Sequence, residues 1–159
     1  MSRARDIADI TDQIVKTTVF TYAPNAIKNL YTGTNTDELY YNSDFDQTVT
    51  LTNGNKLLVW VNGGRVNLGT AGSDAFVFAI QIGGVSYYVG TTFNNENPLN
   101  IFAASAAIAS TSATIKVGGF SRYDSRTPTL DLRNPTSGAG GGSGAVGSPL
   151  RYIIQEVQV

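Results

Sequence analysis

The side chains most often recruited for chemistry are missing, because the chain contains neither His nor Cys. Their absence removes the usual general base, the thiol nucleophile, the commonest zinc and iron ligands and any disulfide. Without cysteine, no redox compartment can be inferred. Asn42, Asp44 and Asp46 stand at alternate positions, as oxygen ligands of calcium sometimes do. An EF-hand loop would need Gly where Gln47 stands and a late Glu where Asn53 stands, so that pattern fails. A solvated acidic loop is the better reading, with Asp37, Glu38, Asp44 and Asp46 as carboxylates that could approach one another. Gly140-Gly141-Gly142-Ser143-Gly144-Ala145 formally fits the loose dinucleotide pattern. With no strand before it, no helix after it and no βαβ periodicity, it reads as a flexible loop. No Ser/His/Asp set, phosphate loop or paired-carboxylate signature can be assembled. The expectation is therefore a protein that is not an enzyme and uses neither metal nor cofactor.

Residues suited to binding are better represented. Arg122, Arg126 and Arg133 flank Tyr123 and Asp124, the only locally basic stretch beyond the N-terminus. Arg and Tyr are favoured at interface hot spots, so an acidic partner or a glycan is one reading. Salt bridging, with Asp124 and Asp131 as acceptors, is preferred. Of the 8 tyrosines, four form the pairs Tyr40-Tyr41 and Tyr87-Tyr88. Neighbours in a strand point to opposite faces, so one ring of each pair should face outward, to meet a sugar or protein partner or, preferably, to pack between subunits. Tyr41, Tyr88, Arg122, Tyr123 and Arg126 are thus the candidate surface or intersubunit contacts. Trp60, inside Leu57-Leu58-Val59-Trp60-Val61, reads most simply as core.

Those residues must be held by a fold that fits 159 residues, enough for one compact domain with appendages. Hydrophobic residues reach 42% while charged residues are only 14%, so the surface must be built from neutral Thr, Asn, Ser and Gly, which suits packing against protein neighbours. A net charge of -1 supplies no field to gather nucleic acid or an anionic membrane. No apolar run near the start serves as a signal peptide or membrane span, so the expected site of synthesis and assembly is a cytoplasm.

Ala4, Ile7, Ala8 and Ile14 recur at helical spacing with Asp6, Asp9 and Asp12 between them, giving a short amphipathic helix at best. Such a helix is marginal alone in water, so its isoleucines need a surface, from their own domain or from a neighbour. Strand texture begins at Val15, where Thr17, Val19 and Thr21 alternate with Thr18, Phe20 and Tyr22. Further β-like runs cover residues 27–31, 38–41, 47–52 and 56–61, with Asn53-Gly54 as a turn between the last two. Gly83-Gly84 supplies the positive φ angles of a two-residue hairpin joining 75–82 to 85–89. Phe76, Phe78, Ile80 and Ile82 share one face of it, directed at a core between two sheets. Residues 99–109 permit helix or strand, with Pro98 and the following Ser/Thr favouring strand and loop. Residues 112–123 read as a long strand with a bulge or bend at Gly118-Gly119. Residues 129–132 suggest a short edge strand, and 137–148 a loose Gly/Ser loop. The β-prone segment 150–159 should then pair in the middle of an existing sheet, the habit of Greek-key and jelly-roll sandwiches. The expected architecture is all-β: a docking arm, helical or extended, over residues 1–16, then an antiparallel jelly-roll-like β-sandwich over 17–159.

The opening Ala4-Arg5-Asp6-Ile7-Ala8-Asp9 resembles the "ARDIA" motif at the start of several tailed-phage virion proteins, where it looks like a shared anchoring peptide before unrelated domains. The remainder resembles the small jelly-roll domains of phage fibres and decoration proteins, some similar to the trimeric tumour-necrosis-factor fold. Val49-Thr50-Leu51, the 56–61 run, the 76–89 hairpin, Thr114-Ile115-Lys116-Val117 and residues 152–157 carry that likeness. The resemblance implies a virion structural protein, most simply a homotrimeric capsid decoration or cement protein bound to the major capsid protein. The alternative is a short tail fibre or receptor-binding module held by a tail protein and recognising a host glycan. In either case the arm would dock through Arg3, Arg5, Ile7, Ile10 and Ile14. Each buried isoleucine would contribute roughly 1.5–3 kcal/mol.

Overall fold

The computed structural model describes residues 13–31, 38–68, 75–92, 98–122, 128–133 and 148–159. Strands β1 (Ile14–Tyr22), β2 (Ile27–Asn29) and β3 (Tyr40–Tyr41) precede a 3₁₀ turn, Ser43–Phe45. Strands β4 (Gln47–Thr50), β5 (Lys56–Asn67), β6 (Phe76–Ile82), β7 (Val85–Thr92) and β8 (Pro98–Ala104) come next. Strands β9 (Ser112–Ser121), β10 (Thr129–Asp131) and β11 (Leu150–Val157) complete the order.

Every pairing is antiparallel. The first sheet runs β1-β11-β5-β10-β2, with β8 also on β5, and the second runs β3-β9-β6-β7, with β4 also on β9. Set aside the short β2, β3 and β10, and the remaining strands order as first-eighth-third-sixth in one sheet and second-seventh-fourth-fifth in the other. That is the jelly roll, a sandwich of two Greek keys. The closing strand lies between β1 and β5, inside its sheet, as a late β-prone segment requires. The Asn53-Gly54 turn is present, with Gly54 at φ 93°, yet it carries the chain from one sheet to the other and closes no hairpin.

The core follows strand parity. Leu57, Val59 and Val61 of β5, Tyr152 and Ile154 of β11, and Leu99, Ile101 and Ala103 of β8 point inward from the first sheet. Phe76, Phe78, Ile80 and Ile82 of β6 meet them from the second, with Ile115 and Val117 of β9. Each such side chain contributes about 1.5–3 kcal/mol by leaving water. At one end the rings interlock: Tyr31 meets Tyr40 edge-on at 6.0 Å, and Phe76 meets Phe78 at 5.1 Å. The buried Tyr152 hydroxyl donates to the Phe45 carbonyl at 2.7 Å, tying the 3₁₀ turn to the closing strand.

Several expectations need correction. Ile14 is not part of an arm: it opens β1 opposite Val157, so the sandwich begins inside the proposed 1–16 segment. Strand β10 is not an edge, since it pairs with β5 on one side and β2 on the other. It reaches that interior place because β5 is long enough to serve β11 with residues 56–62 and β10 with 65–67. The change of partner occurs at Gly63-Gly64, where φ is +105° and +65° and the register against β8 shifts. A Cβ at Gly63 would strike the Pro149 carbonyl, and Gly64 N–H donates to Ser148 at 2.9 Å. Gly118-Gly119 is no bulge: β9 stays in register with β6 throughout. Those glycines instead let backbone approach on both sides, Tyr40 against Gly118 and Val77 against Gly119. The irregular pairing lies between β6 and β7, at Phe78/Ala79. Trp60 is not core either, because its position in β5 has the opposite parity to Val59 and Val61.

Candidate functional site

Both sheets turn a patterned face to the outside. On the first sheet the registers align three rows of four residues across β1, β11, β5 and β8. The central row is Val19-Ile153-Trp60-Phe102, flanked by Thr17-Gln155-Leu58-Ala104 on one side and Thr21-Arg151-Asn62-Asn100 on the other. None of these side chains is buried, and Val19 and Phe102 are 47% and 43% exposed. Trp60 and Phe102 stack with centroids 4.7 Å apart and planes tilted by 38°. The result is an apolar ridge four strands wide, with one mixed shoulder carrying Leu58 and Ala104 and one polar shoulder. Arg151 is its one charge among those rows.

The outer face of the second sheet is aromatic and polar. Register places Tyr88, Ala79, Gly118 and Tyr41 in one row across β7, β6, β9 and β3. Tyr41 lies over Gly118, where a Cβ would come within 2.9 Å of its ring, and Ala79 is fully buried although it points outward. Burial raises the Tyr41 hydroxyl pKa, an effect partly offset by the Ser86 side chain. Tyr88 is 64% exposed, braced edge-on by Phe120 at 5.8 Å. Tyr40 and Tyr87, the other members of the two pairs, pack against the core. Two sequence candidates, Tyr41 and Tyr88, are thereby brought together.

The other candidates fare differently. Arg122 is exposed just beyond β9, and its N–H donates to the Ala75 carbonyl at 3.0 Å. Tyr123 and Arg126, like Arg3, Arg5, Ile7 and Ile10, lie outside the described residues. Arg133 holds Asp131 through two bonds of 2.9 and 2.8 Å, so salt bridging accounts for that part of the basic stretch. These bonds keep the Asp131 carboxyl below its ordinary range.

The alternating Asn42, Asp44 and Asp46 have structural explanations. Asn42 caps the 3₁₀ turn by accepting from the Asp44 N–H at 2.9 Å. Asp44 pairs with Lys28 at 2.7 Å, and Asp46 with Lys116 at 3.3 Å. Two of the loop's carboxylates are thus paired with lysines. No group of three or more potential metal ligands gathers among the described residues.

One carboxylate escaped the sequence reading. Glu156, on β11, is 5% exposed, and its Oε1 accepts from Thr52 N–H and Asn55 Nδ2, both at 2.7 Å. Burial alone would raise its pKa. The Thr52 and Asn55 bonds, helped by Lys16, outweigh that and hold it below the ordinary carboxylate range. Glu156 thus fastens the β4–β5 crossing to the closing strand. A shallow pocket of about 230 Å³ beside the 83–85 turn is lined by Ile82, Val85, Tyr87, Ser105 and Ile108 among others, with no acid or base besides the tyrosine.

The sequence matches no family model and no curated protein. Among solved structures, dimeric latent PorU from Porphyromonas gingivalis aligns with a TM-score of 0.42 and 7% identity, covering 89% of this chain and 13% of that one. A likeness that slight bears on neither fold nor function.

Proposed function

We propose that this chain is a non-enzymatic structural component of a tailed-phage virion, a capsid decoration or cement protein that assembles on the head surface. The observation that carries the reading is the apolar row Val19-Ile153-Trp60-Phe102, exposed or half-buried, on the outer face of the jelly roll. Contiguous apolar patches mark interaction sites on soluble proteins, and a neutral, weakly charged coat suits close neighbours. The "ARDIA"-like opening supports a virion setting, with Arg3, Arg5, Ile7 and Ile10 as the docking residues. Ile14 leaves that set because it belongs to β1. Three arms on one homotrimer would add by avidity, so modest contacts per arm suffice; the number three comes from the resemblance. The protein would be made in the host cytoplasm and kept on the particle.

A tail-fibre or receptor-binding role is the second reading, favoured by the exposed Tyr88 ring beside Tyr41 on the second sheet. Exposed aromatic faces of that kind can stack on sugars. Mixing the purified protein with emptied, undecorated heads and, separately, with host surface polysaccharide distinguishes the two. Saturable binding to heads is expected; binding to polysaccharide alone would move the protein to the tail.

A further inference from the structure

We propose that the outer face of the first sheet is a self-complementary contact through which two copies of this chain pack sheet on sheet. The inference rests on the reading of the chain as an assembling structural protein, and its argument is the pattern of the face itself. A two-fold axis parallel to the strands, lying in the plane between two such faces, exchanges β1 with β8 and β11 with β5. Val19 then sits over Phe102 of the partner subunit, and Ile153 over Trp60 of the partner subunit, each aliphatic side chain against an aromatic one. Facing large flat rings with smaller branched side chains is how packed layers interdigitate. The one charge, Arg151, comes over Asn62 of the partner subunit, whose side-chain oxygen can accept from the guanidinium, so no cation is buried without a partner. Leu58 meets Gln155 of the partner subunit at the periphery. No acidic residue lies in these rows, but the two-fold sets the two copies' Arg151 side chains on adjacent strands of one row, and their repulsion weakens the contact.

Four strands about 4.8 Å apart and three rows about 6.8 Å apart give a footprint of roughly 400 Å² per copy. A standard stable interface takes about 800 Å² from each partner. The face is therefore half the usual size, and association through it should depend on concentration. A self-complementary contact closes at two copies. The three-copy ring implied by the resemblance would have to use another surface.

Trp60 is the chain's single tryptophan and sits in the middle of this row, so its emission reports on the face directly. The test is sedimentation and fluorescence of the full chain at low and at high concentration, about a hundredfold apart. The expected result is a mass that doubles, with Trp60 emission shifting to the blue as it does. Phe102→Glu should keep its low-concentration mass at both concentrations, whereas Tyr88→Glu, on the opposite sheet, should still double. A mass that is the same at both concentrations, or a Phe102→Glu chain that associates like the parent, would overturn the proposal. So would emission that is blue at every dilution and turns red only when residues 1–12 are deleted, since the face would then be covered by the chain's own N-terminal segment. No particle is present in this experiment, so its failure leaves the virion reading standing.

Discussion

Glu156 is the side chain through which pH should act most directly. Its folded pKa lies below the value of 4.5 expected of a free glutamate, as Asp131 lies below 3.8 for a free aspartate. A depressed folded pKa means that the unfolded chain takes up protons first as pH falls. The stabilisation is therefore complete above the free-carboxylate values, and is lost as pH drops through them toward the lower folded ones. Thermal midpoints should hold near neutrality and fall below about pH 4.5, and Glu156→Gln should show a shallower fall. An acid profile unchanged by Glu156→Gln would remove the residue from this role. Burial makes a second prediction at this scale. Ile80→Ala should cost about 2–5 kcal/mol in urea unfolding, because it leaves a cavity between the sheets. Trp60→Ser should cost far less at low concentration, because Trp60 lies outside the sandwich. Comparable losses would return Trp60 to the core. Its placement was hard to read because residues 57–61 are apolar at every position. Such a run has no polar face to set its parity, and only Val59 and Val61 facing the second sheet decides the matter.

At the scale of elements, the sequence was informative wherever local chemistry fixed the outcome. The Gly83-Gly84 hairpin forms as expected, with both glycines at positive φ, and its Phe/Ile face lies in the core. Pro98 correctly favoured strand over helix for β8, although the strand starts at Pro98 itself. What could not be read depended on distant partners. Strand β10 has three residues, and its interior position follows from the length of β5 and the bend at Gly63-Gly64, neither of which its own sequence records. Gly118-Gly119 looked like a kink because glycine weakens strands, whereas its role is to admit Tyr41 and two neighbouring backbones. The bend at Gly63 carries its own prediction. Gly63→Ala combines a left-handed φ with a collision against the Pro149 carbonyl, and should destabilise by about 1–3 kcal/mol. Chemical denaturation reads this directly; an unchanged midpoint would show that residues 148–149 do not dock there.

For the whole molecule, the jelly roll leaves the two sheets with different outer faces, one an apolar ridge and the other a tyrosine row. The sandwich has its own core and its own closing strand, so it should fold without residues 1–12. The onset of strand texture near Val15 was legible in the sequence, and β1 opens there. The exact boundary was not, because Ile14 fits a helical spacing and a strand equally well and is claimed by its pairing with Val157. The measurement that tests the account most directly is incorporation of a chain lacking residues 1–12 into phage particles, scored against the full chain on purified virions. The account predicts an unchanged thermal midpoint and no truncated protein on the particles. Truncated protein carried at the same level as the full chain would contradict it.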